Sequence, residues 1–127
     1  MNSIESENAV IGMALYESEN LPEIREKIPE PSILSSESNR LILETLYSMV
    51  DNDNDITPLT VAERMSENQL ETIGGSSKLA EMANSYSVYD RTGLKELIDT
   101  VIENWIGRES RREFHKANKR IKEGESS

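Results

Sequence analysis

The amino-acid sequence predicts an all-α fold: a compact bundle of about five short helices followed by one long C-terminal helix. Apolar residues recur at intervals of three and four along most of the chain, and no stretch shows the period of two that a half-buried strand requires. Proline, glycine and polar clusters separate the apolar segments at short intervals. With 127 residues, the chain has the size of one ordinary domain.

Two helices are predicted before the first proline pair. The opening segment NSIESENAVIGMALYESEN has apolar residues close to helical spacing, with Ser3 or Ser6 as its N-cap. The second helix begins near Pro22, which suits a first helical turn. Pro29 and Pro31 then end it, because proline disfavours helical conformation in the residue before it.

The clearest amphipathic pattern lies in SSESNRLILETLYSMV. Its inward face is predicted to hold Ile42, Leu46, Met49 and Val50, widened by Leu43 and Tyr47. The following DNDND is predicted to be a polar turn. It lacks the pattern of a calcium loop, since the twelfth position from Asp51 is Ala62 and not a bidentate glutamate.

A fourth helix is predicted from Thr57 as N-cap and Pro58 in the first turn, with Leu59, Ala62 and Met65 facing inward. After the Gly-Gly pair, Ser76 or Ser77 is expected to cap the next helix. The long final helix is expected to begin near Asp90 or Thr92 and to become basic past Gly107. Its apolar residues are Leu94, Leu97, Ile98, Val101, Ile102 and Trp105. The predicted organisation is therefore a helical head over residues 1–90, a long helix or hairpin arm over 91–122, and the start of a polar linker over 123–127.

The segment IGGSSKL has the residue types of a phosphate-binding loop but not the pattern. Gly74 and Gly75 are adjacent, Lys78 follows two serines, Leu79 stands where a magnesium-binding hydroxyl is needed, and no strand precedes the loop. We interpret the two glycines as a structural turn, and we expect at least one of them to have a positive φ.

Other catalytic and metal-binding chemistry is not indicated. The chain has no cysteine, and its single histidine, His115, lies among arginines and lysines that disfavour a bound metal ion. No catalytic, metal or cofactor site is predicted. The stretch from Thr60 to Met82 has the rhythm of a helix-turn-helix, but Arg64 and Lys78 are outnumbered there by glutamates. Direct reading of DNA sequence is therefore not expected.

Charge divides the chain into two parts. Residues 108–127 hold seven basic and four acidic residues, a net charge of +3. Because the whole chain has a net charge of −10, residues 1–107 carry −13. Such an acidic body would be repelled by DNA phosphates. No secretory signal or membrane span is visible, so a soluble cytoplasmic protein is expected.

Three segments together resemble the N-terminal domain of DnaB-type replicative helicases, over roughly residues 4–108. IESENAVIGMAL is similar to the opening helix of that family, LTVAERMSENQLETIGGSSKLAEM to its central segment, and VIENWIGR to a later one. The matching residues are Glu5, Glu7, Val10, Ile11, Gly12, Thr60, Val61, Ala62, Glu63, Met65, Leu70, Gly74, Gly75, Leu79, Met82, Val101, Glu103 and Arg108. Thr57 replaces an aspartate, the turn before Leu70 is one residue shorter, and Lys78 replaces an aromatic residue, which suggests a divergent helicase of phage or plasmid origin.

The resemblance implies a non-catalytic collar module, whose helical head and hairpin pair subunits of a hexameric DNA helicase and dock primase or a helicase loader. It implies self-association as a dimer or hexamer collar, with an ATPase domain beyond Ser127. The alternative is a free-standing regulator or loader that imitates the collar; a reading frame that continues into a GxxxxGK[ST] motif would distinguish the two.

A self-association or partner surface is expected on the final helix near residues 101–121. It is predicted to comprise Val101, Trp105, Arg108, Arg111, Arg112, Phe114 and Ile121, with Trp105 and Phe114 as anchors. Arg108, then Arg111 or Arg112, then His115, Lys119 and Lys122 follow one another at steps of three and four, so the six residues form a basic stripe, expected to act as a salt-sensitive rim. The alternative is that this stripe is only a solvated helix end, whose cations suit the helix dipole.

Overall fold

The computed structural model describes residues 3–122, and within that range the chain is entirely helical apart from turns and loops. Seven α-helices and two 3-10 turns follow one another, which confirms the predicted all-α class with its long C-terminal helix. The α-helices are α1 Ser3–Tyr16, α2 Leu21–Lys27, α3 Glu37–Asp51, α4 Pro58–Arg64, α5 Glu67–Ile73, α6 Ser77–Ser85 and α7 Arg91–Lys122; the 3-10 turns are Ser18–Asn20 and Pro31–Ile33. The predicted linker start at 123–127 lies outside the described residues.

Helix α1 is the centre of the molecule. Its residues from Ala9 to Leu15 are all buried, as expected of a helix that is apolar around most of its circumference. It packs on α3, α6 and α7. Gly12 allows the close approach of α6, since a Cβ there would lie 2.4 Å from the Tyr86 ring and 2.6 Å from the Met82 carbonyl oxygen. Ser6 is not the N-cap, because it lies within α1 and is buried.

Helix α3 begins at the predicted capping signal and covers one side of α1. The Ser36 hydroxyl accepts a hydrogen bond from the Asn39 amide, which caps the helix. The predicted inward residues are buried except Val50, which is 41% exposed. Val50 points to the same side as the buried residues, but it lies in the last turn of α3, where no neighbouring helix covers it.

Helix α4 begins with a reciprocal capping box between Thr57 and Thr60. The prediction that Leu59 faces inward is wrong: Leu59 is 68% exposed, whereas Val61 is fully buried. Two positions along a helix correspond to about 200° of rotation, so Leu59 and Val61 lie on nearly opposite sides of α4. Met65, at the end of the helix, is buried as predicted.

The Gly-Gly pair closes α5 through a Schellman motif. The Gly75 amide donates to the Leu70 carbonyl at 2.7 Å, and the Gly74 amide donates to that of Glu71 at 3.2 Å. The φ angles of Gly74 and Gly75 are 98° and 96°, which confirms the predicted structural turn. Ser76 holds the N-cap position of α6, but its side chain makes no capping bond because its backbone is already helical.

Helix α7 has 32 residues and is therefore about 48 Å long. At the start of α7, the Asp90 carboxylate accepts a hydrogen bond from the Gly93 amide, so the helix begins where the sequence predicted. The first turns pack on the head through Leu94, Leu97, Ile98 and Val101, all of which are buried. From Ser110 to Lys122, by contrast, every side chain is exposed except that of Asn118, which is partly exposed.

Candidate interaction site

The second half of α7, residues 106–122, is called the arm below, and it exposes large apolar side chains. Ile106, Phe114 and Ile121 are 52%, 72% and 62% exposed. At 3.6 residues per turn, these three and Ala117 fall within about 80° of the helix circumference. They form one apolar seam along the arm.

The basic stripe lies on a different face of the arm. Its six residues are centred about 150° from the middle of the apolar seam, so they do not form its rim. The cations next to the seam are Lys116 and Arg120 on one edge. The arm also carries two exposed ion pairs, Arg112–Glu109 at 3.5 Å and Lys116–Glu113 at 3.6 Å. Such pairs contribute only a few tenths of a kcal/mol, on the order of 0.3–0.5, to helix stability.

The structure divides the predicted surface residues into two groups. Val101 is 1% exposed in the core, so its side chain is not accessible to a partner, contrary to the prediction. Trp105 is partly buried against the core. The Arg108 guanidinium donates a 2.7 Å hydrogen bond to the Ile33 carbonyl oxygen and ties α7 to the head. The remaining predicted residues, Arg111, Arg112, Phe114 and Ile121, are exposed on the arm.

The two glycine amides of the Gly-Gly loop are not available to bind a phosphate group. The amides of Gly74 and Gly75 are both used to end α5, and the Lys78 amide donates to the Gly75 carbonyl at 3.1 Å. Within residues 3–122, no three histidine, cysteine, aspartate or glutamate side chains are grouped so as to hold a metal ion. Across the same residues, no helix combines the length and the apolar character of a membrane span.

A surface groove between α2 and α3 was not expected from the sequence. It has a volume of about 380 Å³ and is lined by Leu21, Pro22, Arg25, Glu26, Tyr47 and Val50. This cavity is called the α2–α3 groove below. The sequence predicted both Tyr47 and Val50 to face inward; Tyr47 is buried as predicted, whereas Val50 is 41% exposed at the edge of the groove.

Hydrogen bonds and a cation–π contact keep the wall of this groove in place. Arg25 binds both carboxylate oxygens of Asp51, at 2.7 and 3.1 Å, and its guanidinium lies 4.6 Å from the centre of the Tyr47 ring. The hydrogen bond from Arg25 lowers the pKa of Asp51. The Tyr47 hydroxyl donates to the Ile28 carbonyl at 2.6 Å. The groove therefore has a defined apolar wall with one neutralised cation.

Comparison with known protein families matches residues 1–103 to the DnaB-like helicase N terminal domain. The match covers the head and the packed half of α7, and it ends before the arm. No curated protein matches the chain.

Proposed function

Because the chain belongs to the DnaB-like helicase N-terminal domain family, we propose that it is a non-catalytic collar module of a hexameric replicative DNA helicase. In this role it joins helicase subunits and docks primase or a helicase loader. The observation that carries the proposal is the arm, a continuous helix whose apolar seam is left in water by its own head.

The apolar seam suits subunit association. Contiguous exposed apolar residues on a soluble protein mark an interaction surface, and an aromatic anchor such as Phe114 contributes most where it becomes fully desolvated. The basic stripe suits a different partner, because it lies on the opposite side of the arm and remains accessible once the seam is covered. An acidic surface of primase or loader would be attracted to it.

Sedimentation of purified variants tests the first half of the proposal. Phe114→Ala should weaken self-association by about 30-fold, since truncation of an aromatic anchor costs about 2 kcal/mol. Leu59→Ala is the matched control, because Leu59 is an equally exposed apolar residue on α4, and it should associate like the wild type. Equal association of all three proteins would refute the role of the seam.

Arg112→Glu tests the second half. It should leave self-association unchanged and weaken binding to the primase or loader of the same replication system, more strongly at low salt. Trp105 is not suitable for either test, because it packs against the core and its truncation would also destabilise the head. If Arg112→Glu binds the primase and the loader as the wild type does, the basic stripe is only a solvated helix end.

A further inference from the structure

We propose that the α2–α3 groove and an acidic depression beside it form one docking site for a short peptide segment of another protein, in which a bulky apolar side chain lies next to lysine or arginine. The inference goes beyond the proposed function, because it concerns a surface of the head and does not depend on what covers the arm.

The α2–α3 groove supplies the apolar half of the site. Leu21, Pro22, Tyr47 and Val50 line it with apolar atoms, and Val50 is 41% exposed although it lies on the same side of α3 as the buried residues. The volume of about 380 Å³ is in the range of sites that enclose an apolar group. One bulky side chain of a partner would therefore fit, and it would cover Val50.

The wall of the groove is held in place by bonds within the head. The Tyr47 hydroxyl donates to the Ile28 carbonyl at 2.6 Å, and Arg25 binds both carboxylate oxygens of Asp51 while its guanidinium lies 4.6 Å from the centre of the Tyr47 ring. A partner that enters the groove does not have to order these side chains, so binding costs less conformational entropy.

The acidic depression supplies the charged half of the site. It has a volume of about 430 Å³, and Glu30, Glu44 and Asp51 contribute carboxylates to its lining. Arg25 and Tyr47 line both cavities, so the depression adjoins the groove. A ligand that fills the groove with one side chain can therefore place the neighbouring side chain in the depression.

Charge selects a basic ligand. Arg25 is the single cation among the residues that line the two cavities, and it is paired with Asp51. Among the ion pairs of residues 3–122, none includes Glu26, Glu30 or Glu44, although all three line one cavity or the other. These carboxylates attract lysine and arginine, and they repel the phosphates of nucleic acid and of anionic lipid.

Labelled synthetic peptides test the site by fluorescence anisotropy. Each peptide has a central leucine, phenylalanine or tryptophan between lysines; the matched peptides have a central alanine, or glutamates in place of the lysines. The lysine-flanked bulky peptides should bind the wild-type chain, and both kinds of matched peptide should bind at least about tenfold more weakly.

Two protein variants separate the two halves of the site. Val50→Gln makes the groove polar without adding charge and should weaken binding of the lysine-flanked bulky peptides by about tenfold. Glu44→Lys, at an exposed position of α3, should weaken it by at least about tenfold and reduce its dependence on salt. Leu59→Gln and Glu63→Lys are the matched controls on the exposed surface of α4 and should bind like the wild type. Circular dichroism and urea unfolding check that all four variants fold.

The outcomes distinguish a built site from general attraction to an acidic protein. If Val50→Gln binds like the wild type, or if Glu63→Lys loses as much affinity as Glu44→Lys, the cationic peptides bind the acidic head without a specific site, and the inference is refuted. It is refuted equally if no lysine-flanked peptide binds the wild type.

The arm variants separate this inference from the proposed function. Phe114→Ala and Arg112→Glu should bind the peptides like the wild type, because neither residue lines the groove or the depression. If both arm variants keep their normal self-association and binding of primase or loader while the peptides still bind at the groove, the proposed function fails and the docking site stands. If the arm variants lose peptide binding and Val50→Gln keeps it, the arm receives the peptides and the docking site on the head is wrong.

Discussion

Glu7 is a fully buried carboxylate that joins the central helix to the start of α3. It accepts hydrogen bonds from the Ser35 amide at 2.8 Å, the Ser35 hydroxyl at 2.7 Å and the Ser36 amide at 3.1 Å. Ser36 is itself the N-cap of α3. The carboxylate therefore places the capping residue, and burial of its charge is offset by bonds from three donors.

Glu7→Gln should destabilise the fold by about 1–3 kcal/mol. The amide nitrogen of glutamine is a donor, so it would face the donors of Ser35 or Ser36 and leave buried polar groups without a hydrogen bond. Urea unfolding followed by circular dichroism measures the change. Glu63→Gln on the exposed side of α4 is the control and should stay within about 0.5 kcal/mol of the wild type. A Glu7→Gln protein as stable as the control would show that the carboxylate bonds are dispensable.

Tyr47 is expected to couple stability to alkaline pH. Burial raises the pKa of its hydroxyl to about 12, with nearby Arg25 acting in the opposite direction. The folded state therefore keeps this proton to a higher pH than the unfolded state, whose tyrosine pKa is about 10. The stabilisation is complete below about pH 10 and is lost as the pH rises toward 12.

Tyr47→Phe should cost about 1 kcal/mol at neutral pH, since it removes the donor to the Ile28 carbonyl. It should also lose less stability than the wild type when the pH is raised from 8 to 11. Urea unfolding at the two pH values measures both effects. Tyr16→Phe, at a tyrosine that is 56% exposed, should behave like the wild type. If the wild type and Tyr47→Phe lose the same free energy of unfolding between pH 8 and 11, the alkaline destabilisation does not come from Tyr47.

At the scale of elements, the contact between α1 and α6 depends on a missing side chain. A methyl group at Gly12 would meet the backbone carbonyl of Met82 as well as the Tyr86 ring, so rotation of the ring alone cannot make room. The two helices would have to move apart. The distance between α1 and α6 is therefore set by how the two helices pack together and not by either helix alone.

Gly12→Ala should therefore destabilise the protein by about 1–3 kcal/mol, the usual cost of overpacking, although alanine is the better helix former. Thermal unfolding provides the measurement. Gly107→Ala is the matched control within a helix, because its new methyl group would meet only the mobile end of Arg111 at 3.4 Å. We expect this control to gain up to about 1 kcal/mol. A gain at both positions would mean that α1 and α6 can separate at no cost.

At the scale of the whole molecule, the core and the arm are separate in their energetics. The buried hydrophobic residues of the described chain extend from Ala9 to Val101, and the last hydrogen bond from α7 to the head is that of Arg108. The arm beyond it adds helix without adding core. The helical conformation of the arm therefore depends on its own side-chain ion pairs and on any partner that covers its apolar seam.

A chain truncated after Glu109 should unfold with a free energy within about 0.5 kcal/mol of the full chain, because no core contact is removed. It should lose helical circular dichroism in proportion to the missing arm, and it should not self-associate. Urea unfolding and sedimentation of the same preparations measure these quantities. A large loss of stability in dilute, monomeric protein would show that the arm supports the head.

The sequence by itself determined the features that local chemistry controls. Helical periodicity, the capping residue Thr57, the start of α7 at Asp90 and the positive φ angles at Gly74 and Gly75 all follow from interactions within a few residues. The prediction of a basic final helix with exposed Phe114 also needed only spacing and composition. The same local patterns carried the resemblance to the helicase family.

Tertiary structure alone decided which apolar side chains are covered. Val50, Leu59 and Val101 are all apolar residues within helices, yet the first borders a groove, the second faces water and the third is in the core. Periodicity describes the faces of a single helix, whereas burial depends on which neighbour lies against each face and where that neighbour ends. The α2–α3 groove is formed by residues of both helices, Leu21, Pro22, Arg25 and Glu26 on α2 with Tyr47 and Val50 on α3, and no spacing within either helix encodes how the two lie against each other.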